Sequence, residues 1–235
     1  MSPTDPKQFW EKKILGWETG RYYAASGEAR GLLEKIGDWS SRSLRFRIQV
    51  ALDLMRPHVR GKRVLELGCG SGLLARGFIE AGATEYLGID IAESAIAGAN
   101  GRKAAEGWGD NVQFRVDTVR DMPAISHDVV FSLGLLDWLN DDELDILFEK
   151  QGRADFLHAI AERRRSVQQW LHRNYVHVCY GWKTQGYVPR YFSVPEITQR
   201  AARWRSGPFH VYRDPRLSFG ALISTCPIGP SEPAA

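Results

Sequence analysis

Between Glu66 and Asp90 the chain reads "ELGCGSGLLARGFIEAGATEYLGID", two carboxylates set around a turn built from Gly68, Gly70 and Gly72. Glycine at alternate positions keeps side chains out of the turn and lets backbone N–H groups come close to a ligand. A dinucleotide site would need G-x-G-x-x-G or Ala, but the third small position of that frame is Leu73, and the spacing here is G-x-G-x-G. Glu66 ahead of the turn would repel a pyrophosphate and suits a ligand carrying an ammonium or sulfonium charge. Asp90 follows Gly68 by 22 residues (90 − 68), where a carboxylate accepts hydrogen bonds from ribose hydroxyls. Asp117 closes the next apolar run and is placed to meet an adenine amino group.

Regular elements must hold these residues in place. Val64, Leu65 and Leu67 form an apolar run typical of a buried parallel strand, and Leu73, Leu74, Phe78 and Ile79 recur at helical spacing. The same alternation continues with strands at 63–67, 85–89, 112–116, 128–133 and 154–160 and helices at 72–81, 93–105, 141–150 and 166–178. It predicts an α/β, Rossmann-like, doubly wound sheet. Apolar runs at 209–213 and 217–225 flank "DPR" and should pair as a hairpin, giving a seven-stranded sheet with an antiparallel end. Residues 1–56 read as an N-terminal helical cap: a stretch over 7–36 broken at Gly16, Gly20 and Gly27, then an amphipathic helix over 40–56. The main domain is expected over 57–228, with an acceptor-specificity insertion at about 163–194 and a flexible tail at 229–235.

Length and composition bound the reading. The 235 residues, 43% hydrophobic, suit one domain with an appendage and a substantial core. No apolar run approaches the ~18 residues that span a bilayer, and "MSPTDPKQFWEKK" lacks a signal-peptide core, so a cytoplasmic protein without a membrane partner is expected. Cys69, Cys179 and Cys226 are too scattered for a disulfide framework or a paired zinc site, and no metal is expected. The formal charge of +3 divides unevenly: residues 1–150 hold 19 Lys and Arg against 23 Asp and Glu, a balance of −4, and residues 151–235 hold 12 against 5, a balance of +7. The basic part points to a negatively charged partner or substrate.

"VLELGCGSG", "YLGIDIAESAI", "VQFRVDTVRDMP" and "HDVVFSLGLLDWL", in that order, resemble the successive motifs of the class I S-adenosylmethionine-dependent methyltransferases, over about residues 60–225. The resemblance implies S-adenosyl-L-methionine as methyl donor. Glu66, Gly68, Gly70 and Gly72 would surround its methionine and ribose part, with Cys69 and Leu73 in the same turn. Asp90, with Ile91 beside it, would hold the ribose diol, Asp117 and Thr118 would flank the adenine, and Ser132 and Leu133 would line the floor. "FWEKKILGWETGRYY" resembles the cap segment ahead of the sheet in such enzymes. Phe9, Trp10, Trp17, Tyr22 and Tyr23 would close over the donor, and Arg21 would pair with its methionine carboxylate.

Methyl transfer from a sulfonium is an in-line displacement, so a base is needed only when the nucleophile must lose a proton. Asp137 beyond the fourth strand and His158 on the fifth are the candidate bases. The segment after the fifth strand offers Arg173, Tyr175, Tyr187, Arg190 and Tyr191 as acceptor contacts, aromatic walls with guanidinium groups that suit an anionic small molecule. The chain has no N/D-P-P-Y/F tetrapeptide and no Pro-Cys pair, which disfavours base-amino and cytosine-ring methylation. The expected activity is methyl transfer to an oxygen of an anionic metabolite in a biosynthetic pathway. The alternatives are N-methylation of a small amine, methylation of RNA bound by the basic part, and a non-catalytic donor-binding subunit.

Overall fold

Five apolar runs stack side by side as parallel strands in a computed structural model that describes residues 5–22, 32–164, 169–170, 187–229 and 232–233, with backbone alone for 15–22, 32–44 and 232–233. They are β1 (Arg63–Leu67), β2 (Glu85–Asp90), β3 (Val112–Val116), β4 (Val129–Leu133) and β5 (Asp155–Ala161). β6 (His210–Tyr212) and β7 (Gly220–Ser224) form the antiparallel hairpin, and the two-residue β8 (Glu232–Pro233), within the stretch read as a tail, pairs antiparallel with β6. The sheet order is β3-β2-β1-β4-β5-β7-β6-β8. The order reverses between β1 and β4, and in open α/β sheets ligands bind outside the carboxyl ends of the strands at such a point.

The helices are α1 (Pro6–Tyr22), α2 (Leu32–Val59), α3 (Ala75–Glu80), α4 (Glu93–Glu106), α5 (Asp141–Gln151) and α6 (Val194–Ala201). Period-two alternation sends each strand's side chains to two separate cores. Val64, Tyr86, Phe131, Leu157 and Leu222 pack with Met55 and Val59 of α2 and Phe78 of α3. Leu65, Leu67, Val130, Phe156 and Ile160 pack with Leu144 and Phe148 of α5 and Ile197 of α6. α5 and α6 both begin with a capping box, Asn140 with Glu143 and Ser193 with Glu196, which satisfies the first-turn N–H groups next to the site.

Three expectations change. Gly16 and Gly20 lie inside α1 and do not break it, because a helix carries an isolated glycine at a cost of only ~1 kcal/mol. The helix expected over 72–81 begins at Ala75, since Gly72 has φ +73°, which a right-handed helix cannot contain. Ser218, at φ +61°, stands between the 3₁₀ turn Pro215–Leu217 and β7, so the hairpin connection is longer than "DPR" alone. Most of the expected helix 166–178 lies outside the described residues. Among the described residues no helix is long and apolar enough to cross a membrane.

Gly72 ties fold to site, because a Cβ there would stand 2.7 Å from the Phe114 ring and 3.3 Å from Ala99. Gly72→Ala should therefore lower unfolding free energy by about 2–4 kcal/mol, from overpacking together with an unfavourable left-handed φ. Urea denaturation at constant m-value measures it, and an unchanged midpoint would mean that the turn is not constrained by β3.

Candidate active site

The turn after β1 is fastened to the end of β2 by its own backbone. The N–H groups of Gly68 and Cys69 both donate to the Ile89 carbonyl, at 2.8 and 3.0 Å, and the Gly70 N–H donates to Asp90 Oδ2 at 2.9 Å. Asp90 Oδ1 accepts from the Ala92 N–H at 2.9 Å. Gly68, Gly70 and Gly72 take φ of +71°, +52° and +73°, conformations that L side chains rarely adopt. Burial pushes the Asp90 carboxyl above its ordinary range, while the backbone N–H groups of Ala92, Gly70 and Ile91 pull it back. Glu66 is buried on β1 and receives a hydrogen bond from the Tyr86 hydroxyl. The Cys69 side chain is turned away under the turn, where its Sγ would stand 2.8 Å from a Cβ on Gly88.

Asp117 lies beside Asp90 at the adjacent strand end, its N–H donating to the Asp90 carbonyl at 3.0 Å. Its carboxylate takes the Thr118 N–H at 2.9 Å and an ion pair from Arg115 at 2.8 Å. Leu73, Ile91 and Leu133 are half-buried around the same edge. The structure thus brings Glu66, the glycine turn, Asp90, Ile91, Asp117, Thr118 and Leu133 to the carboxyl ends of four neighbouring strands. The residues present fit the donor: the turn is a cradle without side chains, and the flanking Asp90 and Glu66 carboxylates are chemically suited to ribose hydroxyls and to a positive charge.

α1 leans over this edge. Lys7 Nζ pairs with Glu93 at 2.6 Å, Glu11 accepts from the Ser94 N–H at 3.1 Å, and Ile14 packs on Ala92 and Ala95 at the start of α4. Phe9 and Trp10 meet Trp138 and Tyr187 in a knot of four rings, with centroids 4.9 to 5.6 Å apart, and Trp10 Nε1 donates to the Tyr187 hydroxyl at 3.1 Å. Burial pushes the Tyr187 hydroxyl up to about 12. Trp138 joins the site although no role is expected for it; its sequence signal is its place beside Asp137 in "HDVVFSLGLLDWL". The side chains of Trp17 and Arg21, and all of Arg173 and Tyr175, lie outside the described residues.

Three residues depart from expectation, two on the acceptor side and one expected under the donor. His158 is fully buried, with Nδ1 2.8 Å from Ser132 Oγ and Nε2 2.8 Å from Gln151 Oε1. Both ring nitrogens are thus occupied, the Gln151 carbonyl requiring the proton on Nε2, and burial drops the imidazole pKa to about 3. His158 is a satisfied core histidine that joins β5 to β4 and α5, and it is not placed to take a proton from an acceptor. Ser132 is committed to the same network and does not line a floor. Arg190 spends its guanidinium on the Leu139 carbonyl at 2.8 Å and Asp141 at 2.9 Å, so it clamps the turn after β4. Tyr191 packs its ring against Phe219 at 5.9 Å.

Asp137, in the 3₁₀ turn Leu136–Trp138, is buried, and its Oδ1 accepts from the Ala161 N–H at 2.8 Å. Burial pushes its carboxyl up to about 6 against the opposing pull of the Ala161 N–H and the Arg47 charge.

Comparison with known proteins agrees with this geometry. Residues 64–154 match the family described as Methyltransferase domain. The chain is 35% identical over 112 residues to the ribosomal protein L11 methyltransferase of Haemophilus ducreyi, covering 46% of this chain and 38% of that protein. It is 29% identical over 131 residues to the ubiquinone biosynthesis O-methyltransferase of Neisseria meningitidis, covering 52% and 55%. The chain therefore spans about half or less of the length of these relatives. Among solved structures, the magnesium protoporphyrin IX methyltransferase from Synechocystis PCC 6803 with bound SAH superposes with a TM-score of 0.67 at 15% identity, covering 93% of this chain and 96% of that one, a likeness of fold. Residues 64–154 thus match a methyltransferase domain, and the chain as a whole shares the fold of a solved methyltransferase.

Proposed function

We propose that the protein transfers a methyl group from S-adenosyl-L-methionine to an oxygen of a small acceptor molecule. The observation that carries this reading is the Gly68–Gly72 turn fastened to Asp90 at the point where the sheet order reverses. When bound, the donor supplies an electrophilic methyl group on a sulfonium. The chain's own residues then have separable tasks: Gly68, Gly70 and Gly72 cradle, Asp90 holds ribose hydroxyls, and Asp117 and Thr118 border the base. α1 and its ring knot keep water out.

Asp137 is the proposed proton acceptor for a hydroxyl nucleophile, since a carboxyl titrating at about 6 is charged at neutral pH yet basic enough to assist. A small acceptor is favoured over RNA because most arginines of residues 151–235 are already paired with carboxylates of the same chain. Arg163, Arg164, Arg190, Arg200, Arg203, Arg205, Arg213 and Arg216 are all ion-paired to carboxylates. A track of phosphate contacts would need such groups free. A transfer assay with methyl-labelled donor against hydroxylated acids, amines and bulk RNA, read by mass, should label a hydroxylated small molecule. Label in RNA alone, or donor binding with no transfer to any class, would overturn the reading.

Asp137 separates catalysis from architecture through pH. With an unfolded value of 3.8 and a folded value of about 6, the native state holds a proton across that window that the unfolded chain has released, so stability falls as pH rises through it. The loss approaches about 3 kcal/mol and is complete above the folded value. Asp137→Asn keeps an oxygen for the Ala161 N–H and should remove this slope, gaining on wild type by that amount between pH 4 and 7 in denaturant titrations. If Asp137 is the base, the variant also loses roughly 10²–10⁴-fold in kcat together with the limb of the pH profile near 6. Wild-type turnover with only the stability change would leave Asp137 a strut between β4 and β5.

A further inference from the structure

Beyond the donor, the carboxyl edge of the sheet holds two polar groups that no described residue satisfies. Arg47 lies on α2, and its Nε is buried without a hydrogen-bond partner. The Ser218 hydroxyl is likewise buried and unpartnered, on a non-glycine residue held at φ +61° and ψ −113°. Each unmet buried donor costs free energy, more for the charged one, and strained backbone of this kind persists where the surroundings over-determine it.

The two features belong to one place. Arg47 Nη1 stands 3.5 Å from where a Cβ on Gly134 would be, and Nη2 stands 3.6 Å from the same point on Gly220. Gly134 follows β4 and Gly220 opens β7, so the guanidinium reaches across the end of β5, which lies between them. There β5 offers only Ala159 and Ala161, paired with Leu133 and Gly220. The Leu217 carbonyl lies 3.1 Å from that Gly220 point, and Ser218 is the next residue. Asp137, bonded to Ala161, closes the side, and its carboxylate feels the Arg47 charge although no ion pair joins the two among the described residues.

We propose that Arg47 and Ser218 form a carboxylate-binding subsite that anchors the methyl acceptor. One carboxylate has an oxygen for the guanidinium and another for the hydroxyl, which would satisfy both stranded donors at once. A monoanion suits the place better than a phosphate dianion, because the Asp137 carboxylate beside it repels added negative charge. The subsite lies over β4, β5 and β7, whereas the glycine turn and Asp90 stand over β1 and β2, so it addresses the acceptor rather than the donor. The inference rests on the methyltransferase reading, and it moves the anion contact from Arg190, which is consumed by Asp141, to α2.

The test uses the full chain saturated with S-adenosylhomocysteine, and it follows the ¹⁵N resonance of Arg47 Nε–H, identified by its absence in Arg47→Lys. Acetate should shift that resonance saturably, inorganic phosphate should act at least tenfold more weakly, and acetamide should have no effect. Ser218→Ala should weaken acetate roughly tenfold, the scale of a hydrogen bond to a charged group. Ser218→Gly should weaken it equally while raising the melting temperature, because it relieves the strained φ, and this guards against a simple folding defect. Absence of a saturable acetate shift, or wild-type acetate affinity in both Ser218 variants, would overturn the subsite, and tighter phosphate binding would overturn its carboxylate preference. If Arg47→Lys weakens S-adenosylhomocysteine as much as acetate, Arg47 serves the donor's carboxylate and the acceptor assignment fails. Calorimetric titration of S-adenosylhomocysteine runs alongside: no binding there strikes the methyltransferase reading itself, whereas normal binding without an acetate response strikes only the subsite.

Discussion

One carboxylate holds the functional edge of this protein together. Asp90 accepts the Gly70 N–H with one oxygen and the Ala92 N–H with the other, so the glycine turn, the end of β2 and the start of α4 share a single anchor. The approach is close enough to dictate neighbouring residues. A Cβ on Gly88 would stand 2.8 Å from both Cys69 Sγ and Phe114, and one on Gly72 would meet the same Phe114 ring. β1, β2 and β3 are thus locked in depth as well as in register, and the turn's shape is braced by its own backbone hydrogen bonds to Ile89 and Asp90. Such preorganisation spares a bound donor the cost of ordering its own site.

The acceptor half is built differently, from side-chain braces rather than backbone turns. Ser132, His158 and Gln151 form a buried polar chain through β4, β5 and α5, and a chain of this kind stabilises only when every member is satisfied, as each is here. Arg190 grips the turn after β4 from outside, and Asp137 grips the end of β5 from within. Between these braces stand the ring knot that carries α1 and the stranded donors of Arg47 and Ser218. The rigid half of the edge therefore suits an invariant donor, and the half with unmet polar groups suits a particular acceptor.

Features set by close neighbours along the chain are legible in the amino-acid sequence. The apolar runs of β1 to β5 and the G-x-G-x-G turn encode their own geometry, and Asp90 follows from its place at the end of β2. His158, Ser132 and Arg190 mislead in sequence because their partners are remote or on another element: Gln151 reaches back from α5, and Arg190 pairs across 49 residues with Asp141. Residue type alone cannot separate a histidine that titrates from one whose two nitrogens are spent. Arg47 carries no sequence signal at all, since its place beside the site arises only when α2 packs its side chain against Gly134, just after β4, and Gly220, at the start of β7. The uneven charge of the two parts misleads for a related reason. Much of the excess arginine after residue 151 folds back onto acidic residues such as Asp141, Asp145 and Asp155.

Whether the Asp90 anchor also receives the donor decides the functional assignment. Titration calorimetry of S-adenosylhomocysteine against wild type and Asp90→Ala, with folding of both verified by circular dichroism, measures this directly. The expected result is binding to wild type and a loss of about 1.5–3 kcal/mol in the variant, the scale of hydrogen bonds to a charged group. Equal affinity in the two folded proteins would contradict the claim that the glycine turn and Asp90 are the donor site.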